Sequence, residues 1–160
     1  MTDRVVAHQG AACWATLFTH AHYLPCLAVL LQSMRACQTR YPLVVMLTET
    51  VDARTRERLA RMGCVLRDVD AWRVPHADGS LAFERFQNVW TKLRAFELYE
   101  YERVVMIDSD MLMCHNMDEL FDLPLERGMI AAAFACTCNP KQIPTYPAEW
   151  TPRNLSLIHI

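Results

Sequence analysis

The chain has 160 residues and a mass of 18.5 kDa, enough for one domain of ordinary size. With 52% hydrophobic and 21% charged residues it has the composition of a globular protein, which excludes the disordered and fibrous classes. Sixteen Lys and Arg against 18 Asp and Glu give a net charge of −2. A chain with this charge balance lacks the excess of basic residues that binds nucleic acid or anionic lipid. We therefore expect no nucleic-acid partner.

Hydropathy and cysteine usage predict a cytoplasmic protein. No apolar run approaches the roughly 20 residues of a membrane span, and the polar residues 1–4 do not open a signal peptide. The seven cysteines are odd in number and lie mostly in apolar runs, which favours buried, reduced thiols. A zinc site at Cys136 and Cys138, near Cys114 and His115, is disfavoured because C-x-C is tighter than the usual zinc knuckle and no second pair follows.

Buried-strand patterns and helical periodicities alternate in the first half of the chain. Strand, helix, strand, helix, strand is the first half of a doubly wound α/β sheet. The predicted elements are a strand at 11–19, a helix at 23–37, a strand at 43–47, a helix from the N-cap Asp52 to Gly63 and a strand at 64–66.

The second half opens with a polar segment, 71–85, that contains Pro75 and Gly79 and predicts a surface loop near the ligand side. A helix at 89–101 is expected to pack through Trp90, Leu93, Leu98 and Tyr101. The remaining predicted elements are a strand at 103–107 that resumes at 111–113, a helical turn at 117–121 and a strand at 129–135.

Asp108 and Asp110 directly follow the predicted strand 103–107, at the strand end where open α/β sheets collect their ligands. Separated by Ser109, the two carboxylates can converge on one hard cation, and as like charges they need a cation or a proton to neutralise them. The alternative is that one Asp caps the following turn while the other is solvated. We expect a divalent metal site.

The four glycines are too scattered for either a GxGxxG turn or a P-loop. If the ligand carries a diphosphate, a divalent ion and cationic side chains must meet its charge. Lys92 and Arg85 are the candidates for those cations; the alternative is that both are solvated surface charges.

Four short motifs occur in order along the chain: WATL at 14–17, TKL at 91–93, VMIDSDML at 105–112 and NMDELF at 116–121. In this order and spacing they resemble the glycogenin-like family 8 glycosyltransferases, over residues 11–154. The resemblance implies a GT-A fold, with a Rossmann-like, mostly parallel sheet flanked by helices. It also implies a retaining enzyme that moves a hexose from a UDP-sugar to an acceptor, which the sequence does not identify.

The resemblance also assigns nucleotide contacts. Leu17, Thr19 and Tyr23 match the residues that contact uridine, and His20 stands where glycogenin has Asn. Lys92 matches the lysine that reaches the donor.

Further family positions fall on the second half of the chain. Arg85 is a looser match to a donor contact, and Asn88 lies where another nucleotide contact is expected. Asp108 and Asp110 match the ligands of Mn²⁺ (or Mg²⁺), with Ser109 near the ribose. The ion is expected to take up the charge that grows on the UDP leaving group.

Later family motifs, including the His that completes the metal site, are not found in this sequence. Residues 146–150 (YPAEW) resemble a fungal or plant-like branch, whereas the match ends before 155–160. We therefore expect 11–154 to be an incomplete nucleotide-diphospho-sugar-binding domain and 155–160 a non-native tail. Two alternatives remain: a HAD-type phosphatase that uses Asp108 and Asp110 as nucleophile and acid/base, and an inert nucleotide-sugar-binding fragment.

Overall fold

The computed structural model describes residues 12–72, 84–126 and 128–132, with the backbone alone over 84–88. Four strands form one sheet in the order β3-β2-β1-β4, and every neighbouring pair is parallel. Helices flank this sheet, which confirms the predicted α/β class. The strands are β1 (Ala12–Phe18), β2 (Leu43–Leu47), β3 (Val65–Asp68) and β4 (Arg103–Met106).

Two α-helices connect the first three strands, as the periodicity predicted. Helix α1 (Leu24–Ala36) carries Pro25 in its first turn, where the missing N–H costs no helical hydrogen bond. Helix α2 (Ala53–Arg61) begins after Asp52, whose side chain accepts a hydrogen bond of 2.9 Å from the backbone N–H of Thr55. The predicted N-cap is therefore confirmed.

Both α-helices are followed by a residue in the left-handed region. Gly63, with φ of +86°, ends the α2 segment as predicted, because glycine has no Cβ to clash there. Gln38, with φ of +56°, has the same role after α1. A short 3₁₀ turn, Ala21–Tyr23, precedes α1.

The sheet is covered on both faces. Alternate residues of β1 point to opposite sides, since side chains alternate along a strand. Trp14 and Phe18 pack in a cluster with residues of α1 and α2, whereas Cys13 and Ala15 pack in a second cluster that includes Leu98. Helices α1 and α2 thus share one face.

The strand order reverses direction at β1. The chain runs from β1 outward to β2 and β3, and then returns across the sheet to place β4 on the other side of β1. In doubly wound sheets, ligands bind at the carboxyl ends of the two strands where the order reverses. Here those two strands are β1 and β4.

The helix between β3 and β4 differs from the prediction. A 3₁₀ helix occupies Glu84–Glu97, rather than an α-helix over 89–101. Leu98 is buried as expected, but Trp90 and Leu93 are 48% and 39% exposed, with Phe96 at 62% on the same stripe. Three residues per turn align these side chains, whereas the predicted packing assumed 3.6.

The segment after β4 contains no second strand over 111–113, contrary to the prediction. Met111 and Leu112 are exposed and Met113 alone is buried, so the apolar run does not mark a continuous strand. A 3₁₀ turn, Asp118–Asp122, confirms the predicted helical turn within one residue. Its Phe121 ring meets Trp14 edge-on, with 5.0 Å between ring centroids.

Residues 123–160 form a separate unit. In its described part a turn contains Gly128, at φ of +86°, and the N–H of Met129 donates to the carbonyl of Glu126 over 3.0 Å. Residues 129–132 form no strand, so the prediction of a strand at 129–135 is wrong there; an apolar run alone does not supply a pairing partner. The predictions for 73–83, 133–135, Cys136, Cys138, 146–150 and 155–160 lie outside the described residues.

The described cysteines are free thiols. Buried thiols were expected, but only some of these cysteines are buried. Cys13 and Cys64 are buried and Cys37 is partly so, whereas Cys26 and Cys114 are exposed. None of the helices in the described ranges combines the length and hydropathy that crossing a bilayer requires.

Candidate functional site

The predicted site residues follow β1 and β4, whose carboxyl ends are neighbours in the sheet. Pairing continues one residue past β4, because the N–H of Ile107 donates to the carbonyl of Ala15 over 2.9 Å. Extending the β1–β4 register by two residues brings Asp108 level with Leu17. The sheet itself therefore places the first carboxylate beside the end of β1.

Lys92 reaches this carboxylate from the 3₁₀ helix Glu84–Glu97. Its Nζ donates to Oδ1 of Asp108 at 2.5 Å. The Lys92 and Asp108 side chains are 36% and 43% exposed, so water weakens the ion pair and leaves both groups accessible to a ligand. The structure thus supplies a positive counter-charge for the acidic pair. This charge belongs to Lys92, which was predicted to contact the sugar donor.

The two acidic residues lie in a turn rather than a strand. The N–H of Met111 donates to the carbonyl of Asp108 over 3.2 Å, which closes the turn around Ser109 and Asp110. Asp110 is exposed and Ser109 partly so. The chain has therefore left the regular strand conformation at the acidic pair.

The donor chemistry of this turn fits a hard divalent cation, since carboxylate oxygens are the ligands that Mg²⁺ and Mn²⁺ prefer. Within the described ranges, no three His, Cys, Asp or Glu side chains form a metal-binding group. Asp108 and Asp110 thus offer two carboxylate groups in this turn, and a divalent cation bound there stays a prediction.

The end of β1 is fixed by hydrogen bonds. The Thr50 hydroxyl donates to the carbonyl of Thr19 over 2.6 Å and lies 2.7 Å from the Thr48 hydroxyl. Thr19 itself is buried, and its Oγ1 lies 2.8 Å from Nδ1 of His20. These contacts hold the backbone where uridine contacts are expected.

Three aromatic rings follow Thr19 in a row. The rings of His20 and His22 have centroids 5.4 Å apart, and those of His22 and Tyr23 are 4.1 Å apart. Tyr23 is 39% exposed and immediately precedes α1. An exposed tyrosine at the ligand edge offers a flat surface for a nucleobase, and base stacking on an aromatic ring is favourable.

The remaining predicted contacts lie on the 3₁₀ helix of Lys92. The backbone of Arg85 and Asn88 is part of that helix, and their side chains lie outside the described atoms. The buried Thr91 hydroxyl accepts a hydrogen bond of 3.0 Å from the N–H of Trp72, which ties the helix to the segment after β3.

Comparison with known protein families gives a match of nearly the same extent as the resemblance over residues 11–154. A sequence model of the family described as Glycosyl transferase family 8 matches residues 15–153, which is most of the chain. The chain belongs to glycosyl transferase family 8. The parallel sheet and its order agree with the GT-A type of fold expected for this family.

Relatives of this family 8 chain include plant proteins named galactinol synthases. Galactinol synthase 5 of Arabidopsis thaliana is 30% identical over 138 residues, covering 85% of this chain and 41% of the relative. Galactinol synthase 2 of Solanum lycopersicum is 32% identical over 109 residues, or 68% and 32% of the two chains. The chain therefore spans less than half the length of these relatives.

Two threonines that fix the backbone near these residues were not predicted as site residues. Thr50 holds the end of β1 and Thr91 holds the segment after β3. Thr91 stands next to Lys92 in the TKL motif, which was the available signal. Thr50 carried no motif, because its role depends on the parallel pairing of β1 with β2.

Proposed function

We propose that this chain is the donor-binding part of a retaining glycosyltransferase that takes a hexose from a UDP-sugar, with Asp108 and Asp110 binding Mn²⁺ or Mg²⁺. The observation that carries the proposal is the ion pair of Lys92 with Asp108 at the carboxyl ends of β1 and β4. A doubly wound α/β sheet places its ligand at this point, and a ligand held by both acidic and cationic side chains fits the residues found there.

The charges in this region suit a metal–diphosphate ligand. Asp108 and Asp110 attract a divalent cation, and Lys92 attracts phosphate oxygens. When bound, the cation supplies Lewis-acid stabilisation of the diphosphate leaving group. Lys92 adds a fixed positive charge on the side of the 3₁₀ helix, and Arg85 and Asn88 are proposed as further contacts from the same helix.

The end of β1 is proposed to bind the uridine. Tyr23 offers its exposed ring to the base, while Leu17 and Thr19 define the edge against which the base rests. Ser109, between the two carboxylates, is proposed to contact the ribose. In this arrangement the nucleoside lies over β1 and the diphosphate over the turn after β4, so the donor spans the reversal in strand order.

Titration calorimetry of UDP against the chain, with and without Mn²⁺, tests this proposal. We expect Mn²⁺ to increase the affinity for UDP at least tenfold, whereas UMP, which lacks the second phosphate, should gain much less. A panel of UDP-sugars then identifies the donor; UDP-galactose belongs in it because the relatives are named for galactinol. Equal UDP affinity with and without Mn²⁺ would overturn the metal assignment.

This chain covers less than half the length of its relatives. The acceptor and the turnover of the whole protein are therefore tested separately from donor binding. A product assay that combines the preferred UDP-sugar with candidate acceptors tests them. Transfer without phosphomonoester hydrolysis distinguishes the proposal from a phosphatase that uses Asp108 as a nucleophile, since that mechanism must pass through an aspartyl-phosphate. Donor binding without transfer would instead favour the inert binding fragment.

A further inference from the structure

The turn that carries the acidic pair follows β4. No regular secondary structure holds this turn. Between Met106 and Asp118 the chain forms neither strand nor helix. The sheet places Asp108 beside the end of β1, whereas the path of the turn beyond it, which carries Asp110, depends on where the following residues are attached. Those attachments lie on the C-terminal part of α1 and the segment just beyond it.

The first attachment is at Met113. Its N–H donates to Oγ of Ser33 over 2.9 Å, and its carbonyl accepts a weak hydrogen bond from the Cys37 thiol, with 3.4 Å between sulfur and oxygen. Ser33 is a buried polar residue on a helix face that is otherwise lined by leucines and Met34. Its hydroxyl also donates to the carbonyl of Leu30 over 2.7 Å, so both functions of the hydroxyl are used.

The second attachment is the side chain of Asn116. Its Nδ2 donates to the carbonyls of Cys37 and Gln38, each over 3.1 Å, and so satisfies carbonyls that the end of α1 leaves free. Its Oδ1 accepts from the N–H of Asp118 over 2.8 Å. One exposed amide thus joins the end of α1 to the start of the next 3₁₀ turn.

The third attachment is Asp118, which is only 4% exposed. Its carboxylate accepts hydrogen bonds from the Thr39 hydroxyl and from the backbone N–H of Arg40, the latter at 3.0 Å, and Nε of Arg40 lies 3.3 Å away. Burial alone would raise the pKa of this carboxyl, but these hydrogen bonds outweigh burial, and its pKa is lowered.

We infer that Ser33, Asn116 and Asp118 are positioning residues that hold the acidic turn of Asp108 and Asp110 in place for the cation. The inference rests on the proposed function, and it gives a role to the NMDELF motif that nucleotide binding does not explain. The three side chains touch neither carboxylate of the pair. They act through the backbone, by fixing the path of the chain between β4 and the 3₁₀ turn.

Titration of UDP with and without Mn²⁺ into three variants and one control tests this role. Asn116→Ala removes an exposed side chain and leaves no cavity, and Ser33→Ala removes a different attachment of the same segment. We expect each to reduce the Mn²⁺-dependent gain in UDP affinity about fivefold to tenfold and to leave UDP affinity without metal unchanged. Ser33→Thr keeps a hydroxyl, so it should restore most of the gain that Ser33→Ala loses.

The matched control is Leu59→Val, which weakens the core at α2, on the same sheet face but away from the turn. It should lower the melting temperature and retain the full Mn²⁺-dependent gain. A gain of wild-type size in both folded alanine variants would overturn the positioning role alone. If the wild-type chain shows no gain with Mn²⁺, the proposed function and this inference both fail.

Discussion

Nζ of Lys92 lies 2.5 Å from Oδ1 of Asp108, so a lysine already neutralises one carboxylate of the acidic pair. Under the proposed function, Lys92 and a divalent cation compete for the same oxygen while no nucleotide is present. Once a diphosphate is bound, the same positive charge becomes favourable, because the ligand brings negative charge of its own. The proposal therefore gives Lys92 effects of opposite sign on metal binding and on diphosphate binding.

The first prediction uses this opposition. Lys92→Met keeps the aliphatic stem and removes the charge, so it should bind Mn²⁺ alone a few-fold more tightly than the wild type and bind UDP in Mn²⁺ about tenfold more weakly. Stability should change by no more than about 1 kcal/mol, since both partners are partly exposed. Calorimetric titration of Mn²⁺ and then of UDP measures both effects.

A suitable control for Lys92→Met is Arg58→Met, which removes one positive charge from an exposed position on α2. It should change neither affinity by more than about twofold, because charges on opposite sides of the sheet are screened by salt. If Lys92→Met bound Mn²⁺ more weakly than the wild type, competition for Asp108 would be wrong. A large fall in melting temperature would instead assign Lys92 a structural role.

The second prediction concerns the other carboxylate. Asp110→Asn keeps the shape of the side chain and removes its charge, and we expect UDP affinity in Mn²⁺ to fall at least about tenfold, or 1.4 kcal/mol. The thermal midpoint should not move, because Asp110 is exposed. Asp122→Asn, at an exposed position at the end of the 3₁₀ turn, is the matched control and should bind normally. Unchanged UDP affinity in Asp110→Asn would remove this residue from the metal site.

Much of this arrangement could be predicted from local patterns. Continuous apolar runs gave β1, β2 and β4, and the cap at Asp52 located α2, because these signals are written in neighbouring residues. The position of Asp108 at a strand end followed from the same runs. Local patterns were also sufficient to place Lys92 on a helix between β3 and β4.

Other features depend on contacts between distant residues. The bounds and type of the 3₁₀ helix Glu84–Glu97 were mispredicted, since tertiary contacts can override helical periodicity. A strand at 111–113 was expected from its apolar residues, yet the N–H of Met113 bonds to Ser33 on α1. Met113 and Ser33 are far apart in the sequence. A local pattern therefore cannot predict this hydrogen bond, which forms only in the folded chain.

The third prediction separates the thiols by burial. Burial raises the pKa of the Cys13 thiol to about 12 and that of Cys64 to about 11, so almost none of either is thiolate at pH 8. Iodoacetamide at pH 8 should therefore label the exposed Cys26 and Cys114 and leave Cys13 and Cys64 unmodified, as peptide mass spectrometry can show. In urea all four should react. Rapid labelling of Cys13 in the folded chain would contradict its buried position in β1.

The fourth prediction concerns Asp118 and acid. Since its folded pKa lies below its ordinary value of about 3.9, its stabilising effect is complete above that value and is lost as the pH falls through the folded pKa. Asp118→Asn should lower the free energy of unfolding by about 1–3 kcal/mol at pH 7, because the donors of Thr39 and Arg40 lose a charged acceptor. Urea titrations at pH 7 and pH 3 measure the difference, which should shrink at pH 3. A deficit of equal size at both pH values would show that the variant loses shape or packing rather than charge.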